Sequence, residues 1–453
     1  MNYCLRSIYS AGRILLLCLF ISCSKQENTL PVSDSDIHII NDSGSALAAR
    51  VVISLSTSKQ VEITYNIKGQ SQQTKSSFSP SAKEHSIPLL KLKENTEYEA
   101  EINILNKDSE IESSEKRSFK TPSIPSWITE FYNPKANKIK DSLEGYYLFS
   151  SMGNPGCIYL IDQNGEIVWY QTTEGVVKNV QVTERGTILS LLDKNATNFG
   201  DGNIVLERSL GCDTLFYLEH GQKGFDKSIH HDMTVKPNGN IVAITHTFQD
   251  GSPGDGLVEW STSGNKVWEW STFDVEDELP PGLKESPWIN SVFMDHDGHY
   301  LLSLRALNQI WKVHSKSGKV LWKLGEEGNI SLETPFSFLH QHYAYRNYSG
   351  NVMLFDNGNE ERPYSRIVSF AIDEINRTAR ITSITDLPIQ NYSPIMGSGL
   401  LLPDHTLLAA SSSSQTALKM DMSGKVLFEL SFSKPIYRIE YIQPHLFSSL
   451  SAP

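Results

Sequence analysis

The chain has 453 residues, a formal net charge of −12 and a sequence pI near 5.6. It therefore lacks the basic footprint of a nucleic-acid binder, and any anion site must be a local feature. Its length exceeds one ordinary domain, and 18 Tyr, 18 Phe and 8 Trp supply the bulk of a β-rich core.

At the amino terminus, Arg6 and Arg13 precede the apolar run from Ile14 to Ile21, which Ser22 and Cys23 follow. That order is the one of a secretory signal, and the small residue before Cys23 fits a lipoprotein signal over residues 1–22 with lipid on Cys23. The run is too short to span a bilayer. The expected location is thus the cell envelope, anchored through Cys23 on the periplasmic side or the outer surface of the outer membrane. Cleavage removes Cys4 and Cys18, leaving Cys157 and Cys212 as thiols whose pairing the sequence leaves open. Residues 23–36, rich in Ser, Asp, Asn and Gln, read as a disordered tether.

Residues 37–122 alternate apolar and polar residues in short runs, Val51 to Leu55, Val61 to Tyr65 and Tyr98 to Ile104, as half-buried strands do. They predict a β-sandwich. The segment Leu92 to Tyr98 resembles the tyrosine corner of fibronectin type III and immunoglobulin-like folds, and Ser118 to Pro122 would end the last strand. Nothing here points to chemistry, so the domain reads as a spacer or docking module.

From 135 to 453 the chain repeats with a period of roughly 50 residues. One unit is a turn glycine before an apolar run, at Gly186, Gly239, Gly298 and Gly350, with Asp404 opening a fifth copy. A second is a glycine before a strand ending in an aromatic residue, at Gly165, Gly264, Gly318 and Gly424, with weaker copies near Gly211 and Ala379. Short strands with glycine turns at this period predict an all-β fold, a β-propeller of six blades behind the sandwich.

Equivalent positions in successive blades surround one axis, so repeat phase locates a funnel. Eight residues before the turn glycine stand His231, Asn290 and His342; seven after it stand Asp193, His246, Arg305, Asn357 and, counted from Asp404, Ser411. Convergent polar groups in a concavity mark a candidate site. Arg305 offers a planar donor fork for sulfate, phosphate or carboxylate, while His342 and His231 can each act as nucleophile, base or acid.

At these residues the sequence resembles the arylsulfotransferases that need no nucleotide donor. The motifs are His230-His231-Asp232, Asn290-Ser291-Val292 leading to Arg305, Gly318 to Gly325, Gln341-His342 with Ala344, and Phe355 to Gly358 running to Ser365-Arg366. They span residues 140–430. The resemblance implies sulfuryl transfer from a phenolic sulfate ester to a phenol, by a ping-pong route through a sulfohistidine. It makes His342 the nucleophile and Arg305 and His231 the anion-binding and acid-base groups. His230, His246, Trp288, Asn290 and Asn357 are expected around the substrate, and no cofactor is needed. The sequence departs from the family at Trp288, where a histidine usually stands; the loss of one transition-state donor typically costs ~10²–10³ in turnover. His230 or His246 could take over, and Trp288 could stack on an aromatic acceptor.

Other readings differ in class. Hydrolysis needs only water in place of the phenol. A formylglycine sulfatase is disfavoured because neither Cys157 nor Cys212 begins Cys-x-Pro/Ala-x-Arg, and a nucleotide-dependent enzyme because no Gly-x-x-x-x-Gly-Lys loop occurs. A membrane-tethered propeller that only binds anionic ligands is the non-catalytic alternative. Zinc on His231, His246 and His342 is set aside because Arg305 would repel it, so no metal is assigned. A quinone-dependent dehydrogenase has no separate support, and a homodimer is compatible with the sequence.

Overall fold

The computed structural model describes residues 35–75, 79–195, 201–281, 283 and 285–446. The expected signal peptide, Cys23 and the first part of the tether lie outside them. Ser35 and Asp36, expected at the end of that tether, already belong to the strand Ser35–Asn41.

The amino-terminal unit is built on one strand of 19 residues, Ala49–Ile67, where the sequence suggested two. Its first half pairs with Ser35–Asn41 and Ser79–Leu89, and its second half with Glu97–Leu105, which pairs in turn with Ile111–Lys120. The exposed residues 56–58 mark where the partners change, so a single strand folds the unit over one core. Val51, Ile53, Val61, Ile63 and Ile102 are fully buried in it. Tyr98 closes the expected corner, its hydroxyl accepting the Lys93 N–H at 2.8 Å.

The unit packs directly on the second part of the chain. Leu47, Ala48 and Leu90 join hydrophobic clusters there, the Ala46 N–H donates to the Tyr170 hydroxyl at 2.7 Å, and Arg50 pairs with Asp213 at 2.9 Å. The connecting helix Ser126–Phe131 buries Ile128 and Phe131 in the same core. The second unit, expected from residue 135, therefore begins in packing terms at this helix.

Beyond it, six sheets of four or five strands succeed one another in chain order among the described residues. Their innermost strands are Val176–Val182, Ile229–Val235, Ile289–Met294, His342–Arg346, Ser398–Leu401 and Glu440–Ile442. The last comes from the carboxyl end and pairs with Tyr146–Ser151 from the beginning of the unit, closing the ring. The repeat units fall where blade geometry requires: Gly239 turns the inner strand into the next at φ 84°, and His405 adopts the same left-handed conformation at φ 60° in the copy without glycine. In the two weaker copies of the second unit, Cys212 and Arg377 take the positive-φ place. Cys157 and Cys212 are both free: Cys157 lies in the core, and the Cys212 thiol donates to Gln171 Oε1 at 2.5 Å.

Candidate active site

Four inner strands carry an irregularity near their first residues. Register shifts lie between Val177 and Asn179, Ile229 and Met233, Ile289 and Ser291, and His342 and Tyr345. A bulge breaks the alternation of side chains and re-aims them. Positive φ at His231 and Tyr343, inside two of these shifts, and at Trp288, just before a third, accompanies the change in side-chain direction.

His342 opens its strand and is 4 % exposed. Its Nδ1 lies 2.7 Å from Asn357 Oδ1 and 3.2 Å from the His340 carbonyl. Both are acceptors, because the Asn357 amide is committed the other way, its Nδ2 donating to the Ser393 and Met396 carbonyls at 2.7 Å each. The hydrogen therefore sits on Nδ1 and the lone pair on Nε2. Burial pushes the imidazole down to about 3, with Arg305 and Arg438 adding to the effect against the raising influence of Asn357, so His342 is neutral at physiological pH.

Arg305 begins a short 3-10 turn after the strand Tyr300–Leu304, and its N–H is held by the Trp288 carbonyl at 3.0 Å. Its guanidinium lies 5.7 Å from the centre of the Trp288 ring, and among the described residues no carboxylate neutralises it. Burial lowers its pKa, but an arginine stays charged. Trp288 is 49 % exposed, so its outer face is open to a second ring.

His231 Nδ1 is 2.7 Å from His230 Nδ1, which leaves Nε2 as its remaining hydrogen-bonding atom. Burial first, then the neighbouring imidazoles of His230, His342 and His246 and the Arg438 guanidinium, hold His231 well below the ordinary histidine range. His230, expected to touch substrate, is 1 % exposed and stands behind His231, with Nε2 3.3 Å from Asp255 Oδ1. His246 stacks on it at 4.0 Å, is bonded to Asp201 Oδ1 at 3.1 Å, and is raised by Asp201 and Asp255 against the opposing effect of burial.

The side chains of the other residues picked out by repeat phase are engaged with protein partners. Asn290 is buried and donates to the Gln341 carbonyl at 2.8 Å, and Asn357 is a positioning residue for His342. Ser411 bonds to the Asn391 carbonyl, and Asp193 pairs with Lys178 at 3.4 Å. The phase of Lys178 is a signal that repeat counting could have used: it stands eight residues before Gly186, as His231 stands before Gly239. Zinc on His231, His246 and His342 is not the cluster that forms; His246 is gathered instead with His230 and Asp255.

Below these groups the axis is filled by a buried ion pair that the repeat could not show. Asp232 Oδ1 accepts from Arg438, Asn179 and the Met233 N–H, while Oδ2 accepts from the Val292 N–H, so one carboxylate ties together four inner segments. Burial opposes the charge on Arg438, but Asp232 more than offsets it; the guanidinium also lies over the rings of Tyr343 and Tyr437, 4.5 and 5.1 Å away. A cavity of about 670 Å³, lined by Thr183, Lys236, Asp295, Tyr343 and Glu440 among others, opens on the opposite side of this plug, at the turn end of the inner strands. It is distinct from the end that holds His342.

The arylsulfotransferase (ASST) family profile matches residues 131–433, two thirds of the chain and every group just described except Tyr437, Arg438 and Glu440. The chain belongs to the arylsulfotransferase family. Membership supports a transferase activity in general, and the amino-terminal unit lies outside the match. No curated protein is significantly similar to this arylsulfotransferase family member. Among solved structures, a Bacteroides caccae protein of unknown function is 14% identical over 66% of this chain and 99% of its own, with a TM-score of 0.45. Virginiamycin B lyase from Staphylococcus aureus is 14% identical over 56% and 70%, with a TM-score of 0.34. An auxiliary nutrient binding protein from Bacteroides ovatus is 10% identical over 88% and 90%, also at 0.34. Likenesses this distant bear on neither site nor activity.

Proposed function

We propose that the protein transfers a sulfuryl group from a phenolic sulfate ester to a phenol through a sulfohistidine on His342 Nε2. The observation that carries this reading is the contact of His342 Nδ1 with Asn357 Oδ1, from which the tautomer follows. Asn357 holds the hydrogen on Nδ1, burial keeps the ring neutral, and the nucleophilic lone pair is thereby available on Nε2.

In the first half-reaction Nε2 attacks sulfur, the bond from sulfur to the aryl oxygen breaks, and the phenoxide leaves. Arg305, with no carboxylate of its own among the described residues, is suited to hold the sulfuryl oxygens as charge moves onto them. His231, neutral in its buried position, is suited to donate a hydrogen bond to the oxygen that leaves as phenoxide. The sulfated ring keeps its hydrogen on Nδ1, where the neutral Asn357 amide accepts it. In the second half-reaction the acceptor attacks sulfur as its phenolate, the bond from sulfur to Nε2 breaks, and His342 is released neutral with its hydrogen still on Nδ1. The exposed face of Trp288 beside Arg305 supports an aromatic acceptor. Anchoring at Cys23 would hold this chemistry at the cell envelope.

The test is phenolate release from 4-nitrophenyl sulfate, with and without added phenol. Acceptor-stimulated release supports transfer, and equal release in water alone supports hydrolysis. No release under either condition would sink the catalytic reading in favour of a tethered propeller that binds anions, the reading that the Trp288 substitution favours.

A further inference from the structure

Behind the proposed reaction centre lies a cluster that the transfer chemistry does not consume. His230, His246 and Asp255 each offer one atom, and these three atoms all lie within 4.8 Å of one another. Asp255 Oδ1 is 3.3 Å from His230 Nε2 and 3.9 Å from His246 Nδ1. Ligands about 2.1 Å from a tetrahedral zinc are about 3.4 Å apart, and the observed separations straddle that value.

We propose that His230 Nε2, His246 Nδ1 and Asp255 Oδ1 bind a divalent transition-metal ion, with zinc the best match to two imidazoles and one carboxylate. An independent observation supports it. His230 Nε2 is fully buried at a residue that is 1 % exposed, and its 3.3 Å contact with Asp255 Oδ1 does not meet hydrogen-bond geometry. Such an orphaned nitrogen is costly unless something binds it.

The outer atoms are arranged as metal ligands need them. Asp255 Oδ2 accepts from Ser286 Oγ at 2.5 Å and from the Ile289 N–H at 2.9 Å, which fixes the carboxylate and leaves Oδ1 free. His246 Nε2 lies 3.1 Å from Asp201 Oδ1, the carboxylate-to-histidine contact that holds a ligating ring in its tautomer. His230 Nδ1 is occupied by His231 at 2.7 Å. Two imidazoles with the carboxylates of Asp255 and the adjacent Asp201 together favour a dication. A cavity of about 680 Å³ lined by Asp201, His246, Phe248 and Asp274 gives the ion a way in and leaves room for water as a further ligand. The two rings are stacked 4.0 Å apart at 22°, so binding requires them to fan out, and His246, with 37% of its side chain exposed, is the one free to turn.

A consequence rests on the transferase reading. Metal on His230 Nε2 leaves the hydrogen on Nδ1, where it donates to His231 Nδ1. That in turn puts the His231 hydrogen on Nε2, the tautomer that can serve the leaving oxygen.

The experiment uses zinc alone, without any sulfate ester, so its result is separate from that of the transferase reading. The purified protein is stripped with chelator, loaded with ZnCl2, dialysed, and examined for metal content by mass spectrometry and for thermal midpoint. The expected result is about one zinc per chain and a raised midpoint, with affinity at least about 100-fold weaker in His246→Gln and in Asp255→Asn. His246 is partly exposed, so its variant tests the site even if Asp255→Asn folds poorly. No retained zinc and no rise in midpoint, or undiminished binding in His246→Gln, would overturn the proposal.

Discussion

The Nδ1 atom of His342 lies 2.7 Å from Oδ1 of Asn357, and the two carbonyls that hold the Asn357 amide nitrogen make this a one-way contact. A neutral amide can fix a tautomer without adding charge, which suits a nucleophile that must stay uncharged. Asn357→Ala is predicted to lower kcat by roughly 10²-fold with a smaller change in KM, because it releases the ring rather than the substrate. A fall in binding alone would contradict the positioning role. Steady-state kinetics with 4-nitrophenyl sulfate decide between them.

Arg305 has no carboxylate partner among the described residues, so Arg305→Ala is expected to reduce kcat/KM for the sulfate ester by about 10²–10³. Arg305→Lys restores charge but not the planar fork, and should recover only part of the loss. Trp288→Ala should raise KM for the phenol acceptor more than for the donor. Unchanged kinetics in Arg305→Ala would place the anion site elsewhere.

The pH profile carries its own signature. An ordinary histidine protonates near 6.5, whereas His342 remains neutral until the pH falls to about 3. The single-turnover rate of phenolate release should therefore show no loss as pH falls through about 6.5. An acid limb at that pH in a rapid-mixing experiment would mean that the nucleophile is not held neutral.

At the axis, Asp232 and Arg438 form a pair sealed from solvent. Removing one partner strands a buried charge, so Asp232→Ala is expected to cost about 3–5 kcal/mol, read as a lower denaturation midpoint in urea. Replacing both with apolar residues should recover much of that loss. Equal destabilisation by the single and double variants would argue against the pair as the closing tie.

Glu440, near the opposite cavity, is pushed up to about 7 by burial, against the lowering effects of the Val182 N–H and Arg438. Between the ordinary value of 4.5 and about 7 the folded chain keeps a proton that the unfolded chain releases, so stability falls as pH rises through that window. Glu440→Gln keeps an acceptor for the Val182 N–H and should gain roughly 1–2 kcal/mol at about pH 8, with no gain at about pH 4. Melting curves at the two pH values test the sign.

Glycine turns were legible in the sequence because each demands a positive φ, so they repeat wherever a blade does. The polar residues at fixed distance from those turns were legible for the same reason, and His342 lies within electrostatic reach of both Arg305 and His231. What escaped was contact between unlike phases. Asp255 sits in the middle of a blade and meets His230 only because a bulge turns that side chain inward, and Arg438 arrives on the closing segment, outside the five repeat copies. Asn290 and Asn357 share the right phase but face backbone carbonyls, a distinction that hydrophobic pattern does not carry. The long strand Ala49–Ile67 resembles two strands in the sequence because its exposed middle has the composition of a turn.

The most direct measurement is the intact mass of the protein, quenched during the first turnover with 4-nitrophenyl sulfate and no acceptor. The account predicts a phenolate burst and an acid-labile gain of about 80 daltons, the mass of SO3, carried by His342 and lost in His342→Asn with the fold retained. Phenolate release with no mass gain, or substantial turnover by His342→Asn, would contradict it.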